Sequence, residues 1–220
     1  MKIKAIITGA TGMVGEGVLH ECLLHPDVES VLVINRKPCG IKHKKLKEII
    51  HKNFFDLSSV ENELKDYNVC YFCAGTSSVG LKEEEFRKIT YDLTLSFANA
   101  LLKINSVSEF CYVSGAATDS TEKGNIMWAR VKGKTENNLL KFPFKAVYMF
   151  RPGYIQPIKG LKNTKGFYKI LAPLYPLFKV LFPKHMVKLE QLGKAMIHST
   201  LLGFDKKILE CVDIVKLSKT

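Results

Sequence analysis

Three glycines at three-residue spacing, Gly9, Gly12 and Gly15 in Thr8-Gly-Ala-Thr-Gly-Met-Val-Gly15, form the first pattern in this chain that could do chemistry. An apolar run, Ile3–Thr8, precedes them, and Val14, Val18, Leu19 and Cys22 follow at helical spacing. A glycine turn between strand and helix lets a dinucleotide's pyrophosphate approach the backbone, and unpaired N–H groups at the helix start bind its charge. A turn that only packs a helix on a sheet would also use glycine, but the placement between strand and helix favours the dinucleotide. The second apolar run ends in Val33-Ile34-Asn35-Arg36-Lys37, where the adenosine ribose would lie. An acid there binds the 2′-hydroxyl of NAD, whereas a cation accommodates the 2′-phosphate of NADP. Here Arg36 and Lys37 precede Lys42, Lys44, Lys45 and Lys47, and the next acid is Glu48, so NADP(H) is favoured over NAD(H). A solvated basic loop would explain the lysines but not Arg36 at the strand end. Cys70-Tyr-Phe-Cys73 has the spacing of a redox or zinc motif. On a strand, residues three apart face opposite sides, so no metal or dithiol site is expected.

The elements that must position these residues are apolar runs alternating with helical segments: Ile3–Thr8, Val31–Ile34, Glu48–His51, Val69–Ala74, Phe110–Ser114 and Ala146–Phe150. That alternation predicts an α/β, Rossmann-type doubly wound parallel sheet. Phe86, Ile89, Leu93, Phe97, Ala100, Leu101 and Ile104 fall on one helical stripe. Gln191–Leu202 reads as a closing helix and Ile208–Leu217 as a final strand or extended tail. The chain has 220 residues, 46% hydrophobic and 25% charged, which excludes disorder, collagen-like repeats and a disulfide miniprotein and predicts one domain over 1–220. The six cysteines read as small buried hydrophobes of a reducing compartment. Without an apolar secretory leader, the chain is expected in the cytoplasm.

The net charge of +12 is concentrated late, since Asn137–Leu189 holds ten Lys or Arg and no acid. Within it, Phe167–Phe182 is apolar but too short, and too charged internally, to span a bilayer. Residues 155–190 are therefore expected to form a basic, apolar, helical lid with lysines outward, or a surface in peripheral contact with an anionic membrane or an acidic partner protein. Nucleic acid is not expected as a partner, because no arginine-rich groove or RNA-binding aromatic motif accompanies the charge.

Thr8–Gly15, Asn35-Arg36-Lys37, Phe55-Asp56, Cys73-Ala-Gly-Thr76, Tyr112-Val-Ser114, Val131-Lys-Gly133 and Phe150-Arg-Pro-Gly153 occur in an order that resembles the atypical short-chain dehydrogenase/reductases. These NAD(P)-dependent epimerase/dehydratase-like proteins include a Tat-interactive oxidoreductase-like branch, which the chain resembles most. The resemblance runs from residue 1 to about 155 and more loosely beyond. It implies that Gly9, Thr11, Gly12, Met13 and Val14 hold the pyrophosphate and Arg36 with Lys37 the 2′-phosphate. Phe55 and Asp56 would sit at the adenine, Ala74, Gly75 and Thr76 at the ribose, and Pro152 and Gly153 by the nicotinamide. Phe55 as core, Gly75 as a turn and Asp56 as a helix cap are the structural alternatives.

In that family a tyrosine transfers the proton, a lysine four residues later lowers its pKa and holds the ribose, and a serine polarises the substrate carbonyl. The matching positions are Ser114, Trp128 and Lys132, so the tyrosine is replaced. An indole N–H donates a hydrogen bond but does not titrate, and Trp128 reads instead as a stacking residue. Tyr112 shares a strand face with Ser114 but is expected deeper in the sheet; Tyr91 and Tyr154 are the other candidate substitutes, and Lys132 has a solvated helix position as its alternative. The resemblance thus implies an NADP(H)-binding oxidoreductase of non-standard or weak activity on a small carbonyl or alcohol. The alternative is a non-catalytic NADP(H)-binding regulator or scaffold. A sugar-nucleotide epimerase ranks third, since it needs the same tyrosine and a larger C-terminal domain.

Overall fold

The computed structural model describes residues 2–106, 108–164 and 183–220. Short β-branched and aromatic runs form β1 (Ile3–Thr8), β2 (Val28–Asn35), β3 (Leu46–Ile50), β4 (Val69–Phe72), β5 (Glu109–Val113) and β6 (Ala146–Arg151). With β9 (Ile208–Glu210) they make one parallel sheet of order β3-β2-β1-β4-β5-β6-β9. The order reverses between β1 and β4, which opens a crevice beyond their carboxyl ends, where α/β sheets bind ligands.

Residues of alternate parity feed two cores. Ala5, Ile7, Val31, Val33, Tyr71 and Phe150 pack on one face against Val18 and Leu19 of α1 (Met13–Leu24) and Leu192 and Met196 of α6 (Leu189–Leu202). Ile6, Leu32, Ile34, Phe72, Phe110 and Met149 pack on the other against Phe97 and Leu101 of α4 (Leu93–Ile104) and Leu139 of α5 (Met127–Leu139). The second layer is aromatic, with Phe72 ring centroids 5.3 Å from Phe97 and 5.7 Å from Phe110. α1 and α6 approach closely at two glycines: a Cβ on Gly17 would lie 2.3 Å from Leu189 Cγ, and one on Gly193 would lie 2.6 Å from Glu21 Cγ. A buried ion pair ties α5 to the sheet, as Arg151 Nε donates to both Glu136 oxygens at 3.0 and 3.1 Å and Nη1 to Glu210 at 3.1 Å.

Four features differ from the sequence expectations. The stripe from Phe86 to Ile104 is not one helix: α3 (Glu83–Arg87) passes through a π-turn, Lys88–Asp92, into α4. The extra residue in that turn rotates Ile89 out of the stripe, leaving it 38% exposed. Ile208–Leu217 is neither strand nor tail throughout, because β9 ends at Glu210 and α7 (Cys211–Leu217) follows at once. The fourth strand stops at Phe72, two residues early, and releases Cys73 and Ala74 toward the crevice. A second sheet pairs β7 (Tyr154–Gln156) in parallel with β8 (Met186–Lys188).

Cys70 packs in one core, while Cys73, just past the end of β4, packs against the other, so the two side chains diverge. Among the described residues no group of His, Cys, Asp or Glu is placed to hold a metal. The apolar run Phe167–Phe182 lies outside the described residues. Of the segment 155–190, the described ends pack on the body of the protein. Buried Glu16 of α1 accepts the N–H groups of Lys162 at 2.9 Å and Asn163 at 2.7 Å. No helix among the described residues is long and apolar enough to cross a membrane.

Candidate functional site

The three glycines have different reasons to be glycine. Gly9 has φ +74°, and a Cβ there would lie 2.7 Å from Cys73 O and 2.8 Å from Ala74 N. Gly15 passes so close beneath the loop that its Cβ would lie 2.2 Å from Gly9 O. Both are therefore required by the chain itself. Gly12 is not: its φ is −107°, and a Cβ would meet nothing nearer than Gly9 O at 3.4 Å. It is the N-cap of α1 and offers no side-chain cap, so the first-turn N–H groups, Met13 and Val14 included, stay available to a ligand. Gly75, with nothing within 4 Å of its Cβ position, is equally unexplained by packing. Open space above Gly12 and Gly75, together with uncapped helix N–H groups, fits a phosphate-bearing dinucleotide.

That space is a cleft of about 880 Å³. Gly9, Thr11, Gly12, Arg36, Lys37, Phe55, Ala74, Gly75 and Thr76 line it together, although they come from the ends of three strands and the loop after β3. Its walls also include Asn35, Lys52, Asn53, Cys73, Lys88 and Ile89 and, among the described residues, no Asp or Glu. Asn35, 2% exposed, is the crossbar of the site: Oδ1 accepts Ala10 N–H at 3.1 Å, and Nδ2 donates to Glu48 at 3.3 Å. Glu48 in turn accepts Cys39 N–H at 2.8 Å. Thr8 Oγ1 accepts Ala74 N–H at 3.1 Å and so locks the end of β1 to the loop after β4. Burial pushes the Cys73 thiol well up, which leaves it a wall and not a nucleophile.

A second group forms where β5 gives way to α5. Ser114 Oγ lies 3.0 Å from Thr118 Oγ1, which donates its own hydrogen to Gly115 O at 2.7 Å. The Ser114 hydroxyl must therefore donate to Thr118, leaving its lone pairs for a hydroxyl-bearing ligand. Lys132 Nζ donates to Ser114 O at 3.1 Å and sits 5.7 Å above the Tyr112 ring. Burial brings the Lys132 ammonium down to about 8, opposed by the Glu136 carboxylate one turn along α5. Trp128, half-buried one turn the other way, places its ring edge 4.0 Å from the Cβ position of Gly115. Ser114, Trp128 and Lys132 are thus brought together, outside the lining of the large cleft.

The candidate tyrosines separate clearly. Tyr112 is buried beneath Lys132, and burial pushes its phenol well up. Tyr91 is half-buried between Arg87 and Lys134, whose charges lie 5.8 and 5.1 Å from its ring centre. Tyr154 belongs to β7. Asp56 is not on the cleft lining; its Oδ1 accepts Ser58 N–H at 2.9 Å at the turn before α2 (Glu61–Leu64), and that bond holds its carboxyl below the usual range. Pro152 and Gly153 follow β6, away from the cleft lining. A Cβ on Gly153 would lie 2.4 Å from His185 O, and its N–H bonds Cys211 Sγ at 2.9 Å, so packing alone requires this glycine. Lys52, Lys88 and Ile89 carry no signal as site residues in the sequence: two are lysines in a lysine-rich chain, and Ile89 falls on the apolar helical stripe.

A parallel sheet with a glycine turn opening on its switch point defines a dinucleotide-binding α/β protein. Residues 5–124 match the NAD dependent epimerase/dehydratase family, and the chain belongs to that family. Among curated proteins it is similar to Protein FMP52, mitochondrial, of Meyerozyma guilliermondii, 26% identical over 207 residues that cover 90% of this chain and 86% of that protein. Among solved structures it is similar to the Bordetella bronchiseptica enzyme WbmG in complex with NAD and UDP, with TM-score 0.70 and 13% identity over 96% of this chain and 73% of that one. A short chain dehydrogenase family protein from Francisella tularensis matches 94% of this chain and 93% of its own, with TM-score 0.64 and 14% identity. These two likenesses show the fold.

The relatives correct one expectation. Several are named mitochondrial proteins, which goes against the expected cytoplasmic location. The cytoplasmic reading rested on the lack of an apolar secretory leader, whereas mitochondrial addresses are basic and amphipathic, so that criterion did not bear on the question.

Proposed function

We propose that this protein binds NADP(H) in the cleft and is an oxidoreductase acting on a small carbonyl or alcohol, with lysine in place of tyrosine for proton transfer. The observation that carries the cofactor choice is Arg36 and Lys37, exposed at the end of β2 on a lining without a carboxylate. An NAD-type ribose contact would need an acid there. When bound, the nicotinamide supplies or accepts the hydride. Ser114 orients the substrate oxygen, Trp128 stacks beside it, and Lys132 holds the ribose hydroxyls. Trp128 does not titrate and Tyr112 is pushed far from neutral, so Lys132, at about 8, is the group we assign to carry the proton.

Calorimetry tests the cofactor. Wild-type protein is expected to bind NADP⁺ more tightly than NAD⁺, and Arg36→Ala to weaken NADP⁺ by about tenfold with little effect on NAD⁺. Equal losses for both cofactors would remove the 2′-phosphate assignment. Nicotinamide absorbance against a carbonyl panel tests the chemistry, and Trp128→Tyr is expected to raise turnover by restoring a phenol one turn from Lys132. Tight cofactor binding with no turnover in either form would favour the regulator or scaffold, which the replaced tyrosine also supports.

A further inference from the structure

Two exposed lysines outside the family-like positions face the same cleft as Arg36 and Lys37. Lys52 stands just after β3, and Lys88 opens the π-turn between α3 and α4. The loop after β3 is tied to α4, the helix that continues the π-turn, by Ser96 Oγ donating to Phe55 O at 3.1 Å. Among the described residues none of the four cations has a carboxylate within salt-bridge distance. Of the acids on neighbouring elements, Glu48 accepts from Asn35 and Cys39, Asp92 pairs with Arg87, Glu83 pairs with Arg130 and Asp56 accepts from Ser58; neither these nor Glu84 and Glu85 of α3 line the cleft. Four cations around one concavity repel one another and focus a positive field into it, which a multiply charged phosphate relieves.

The same cleft is lined by two apolar side chains that the fold leaves open, Phe55 at 43% exposure and Ile89 at 38%. Ile89 is there because the π-turn rotates it away from the core. A planar ring laid between them would cover apolar surface on both sides.

We infer that Lys52 and Lys88 determine specificity for the adenosine 2′-phosphate, meeting it from the β3 and π-turn side, while Phe55 and Ile89 cover the adenine. The inference rests on the NADP(H) reading of the cleft and deepens it. It makes the π-turn a recognition element: a regular helix through this stretch would hold Ile89 in the core.

Titration calorimetry with NADP⁺ and NAD⁺ tests it on the full chain, using the double variant Lys52→Gln/Lys88→Gln and, separately, Ile89→Ser. All three side chains are exposed, so folding is not at stake. The double variant is expected to lose about tenfold in NADP⁺ affinity, less than twofold in NAD⁺ affinity, and part of the salt dependence of NADP⁺ binding. Ile89→Ser should weaken both cofactors alike. Unchanged NADP⁺ binding, or equal losses for the two cofactors in the double variant, would overturn the assignment even with the NADP(H) reading intact. A wild-type protein that prefers NAD⁺ would instead refute that reading itself. Unchanged binding in Ile89→Ser would overturn the adenine contact.

Discussion

Replacing Gly12 and Gly9 separately with alanine divides ligand binding from folding. At Gly9 the added methyl meets two obstacles. The φ of +74° costs an L-residue about 1–2 kcal/mol, and a Cβ 2.7 Å from Cys73 O forces backbone to move, adding about 1–3 kcal/mol. For a chain of this length that corresponds to a melting point lower by roughly 5–15 °C. At Gly12 the terms nearly cancel. The methyl has 3.4 Å to Gly9 O, a stiffer unfolded chain contributes about 0.4–1 kcal/mol of stability, and the poorer N-cap costs a similar amount. Gly12→Ala should therefore melt within about 2 °C of wild type. Its methyl nevertheless stands where a pyrophosphate must approach the first turn of α1, and cofactor affinity should fall at least about tenfold. Circular dichroism melts and cofactor titration on the same preparations measure both quantities. Gly12→Ala that melts like wild type and binds NADP⁺ with unchanged affinity would refute the idea that the middle glycine serves a ligand.

Two further outcomes follow from buried charges. The folded Lys132 releases its proton near pH 8 while the unfolded lysine keeps it to about 10.5, so across that window the unfolded chain binds more protons. Stability of the wild type relative to Lys132→Met should thus rise with pH between those values, and cofactor affinity should fall as pH passes 8; a flat stability difference would contradict the burial of this amine. Glu136→Gln leaves Arg151 with Glu210 as its remaining carboxylate and should cost about 3 kcal/mol, read as a melting point lower by roughly 6–12 °C. A shift under about 2 °C would assign the pair's worth to Glu210.

The sheet was readable because its strands are short apolar runs, and the glycine loop because its residue types are unusual in fixed order. The boundaries moved where tertiary contacts decide them. β2 starts at Val28, three residues before the apolar stretch, since Ile3 pairs with it, and β3 starts at Leu46 opposite Val31. The π-turn was hidden because apolar spacings of three and four fit a regular helix as well as one with an inserted residue. β7 and β8 are too short to show a period, and their pairing joins residues about thirty apart. Within the site, residue type pointed to Gly12 and Arg36 and the family resemblance to Gly75 and Phe55, and all four line the cleft. Lys52 and Lys88 needed the fold, because lysines scattered through a basic chain differ only in what they face. Asp56 and Gly153 match a family pattern whose residue types also suit a turn and a tight helix approach, and only coordinates show which contact each makes.

Asn35 has a consequence for any attempt to redirect this protein toward a different nucleotide. Its side chain must supply an acceptor to Ala10 and a donor to Glu48 at once, and among side chains of this size only the amide does both. Introducing aspartate here, the simplest route to a ribose-binding acid, would turn one carboxylate against another in the wall of the cleft and loosen the phosphate turn. Nucleotide choice is in this way welded to the integrity of the loop, and a change of preference has to begin at Glu48.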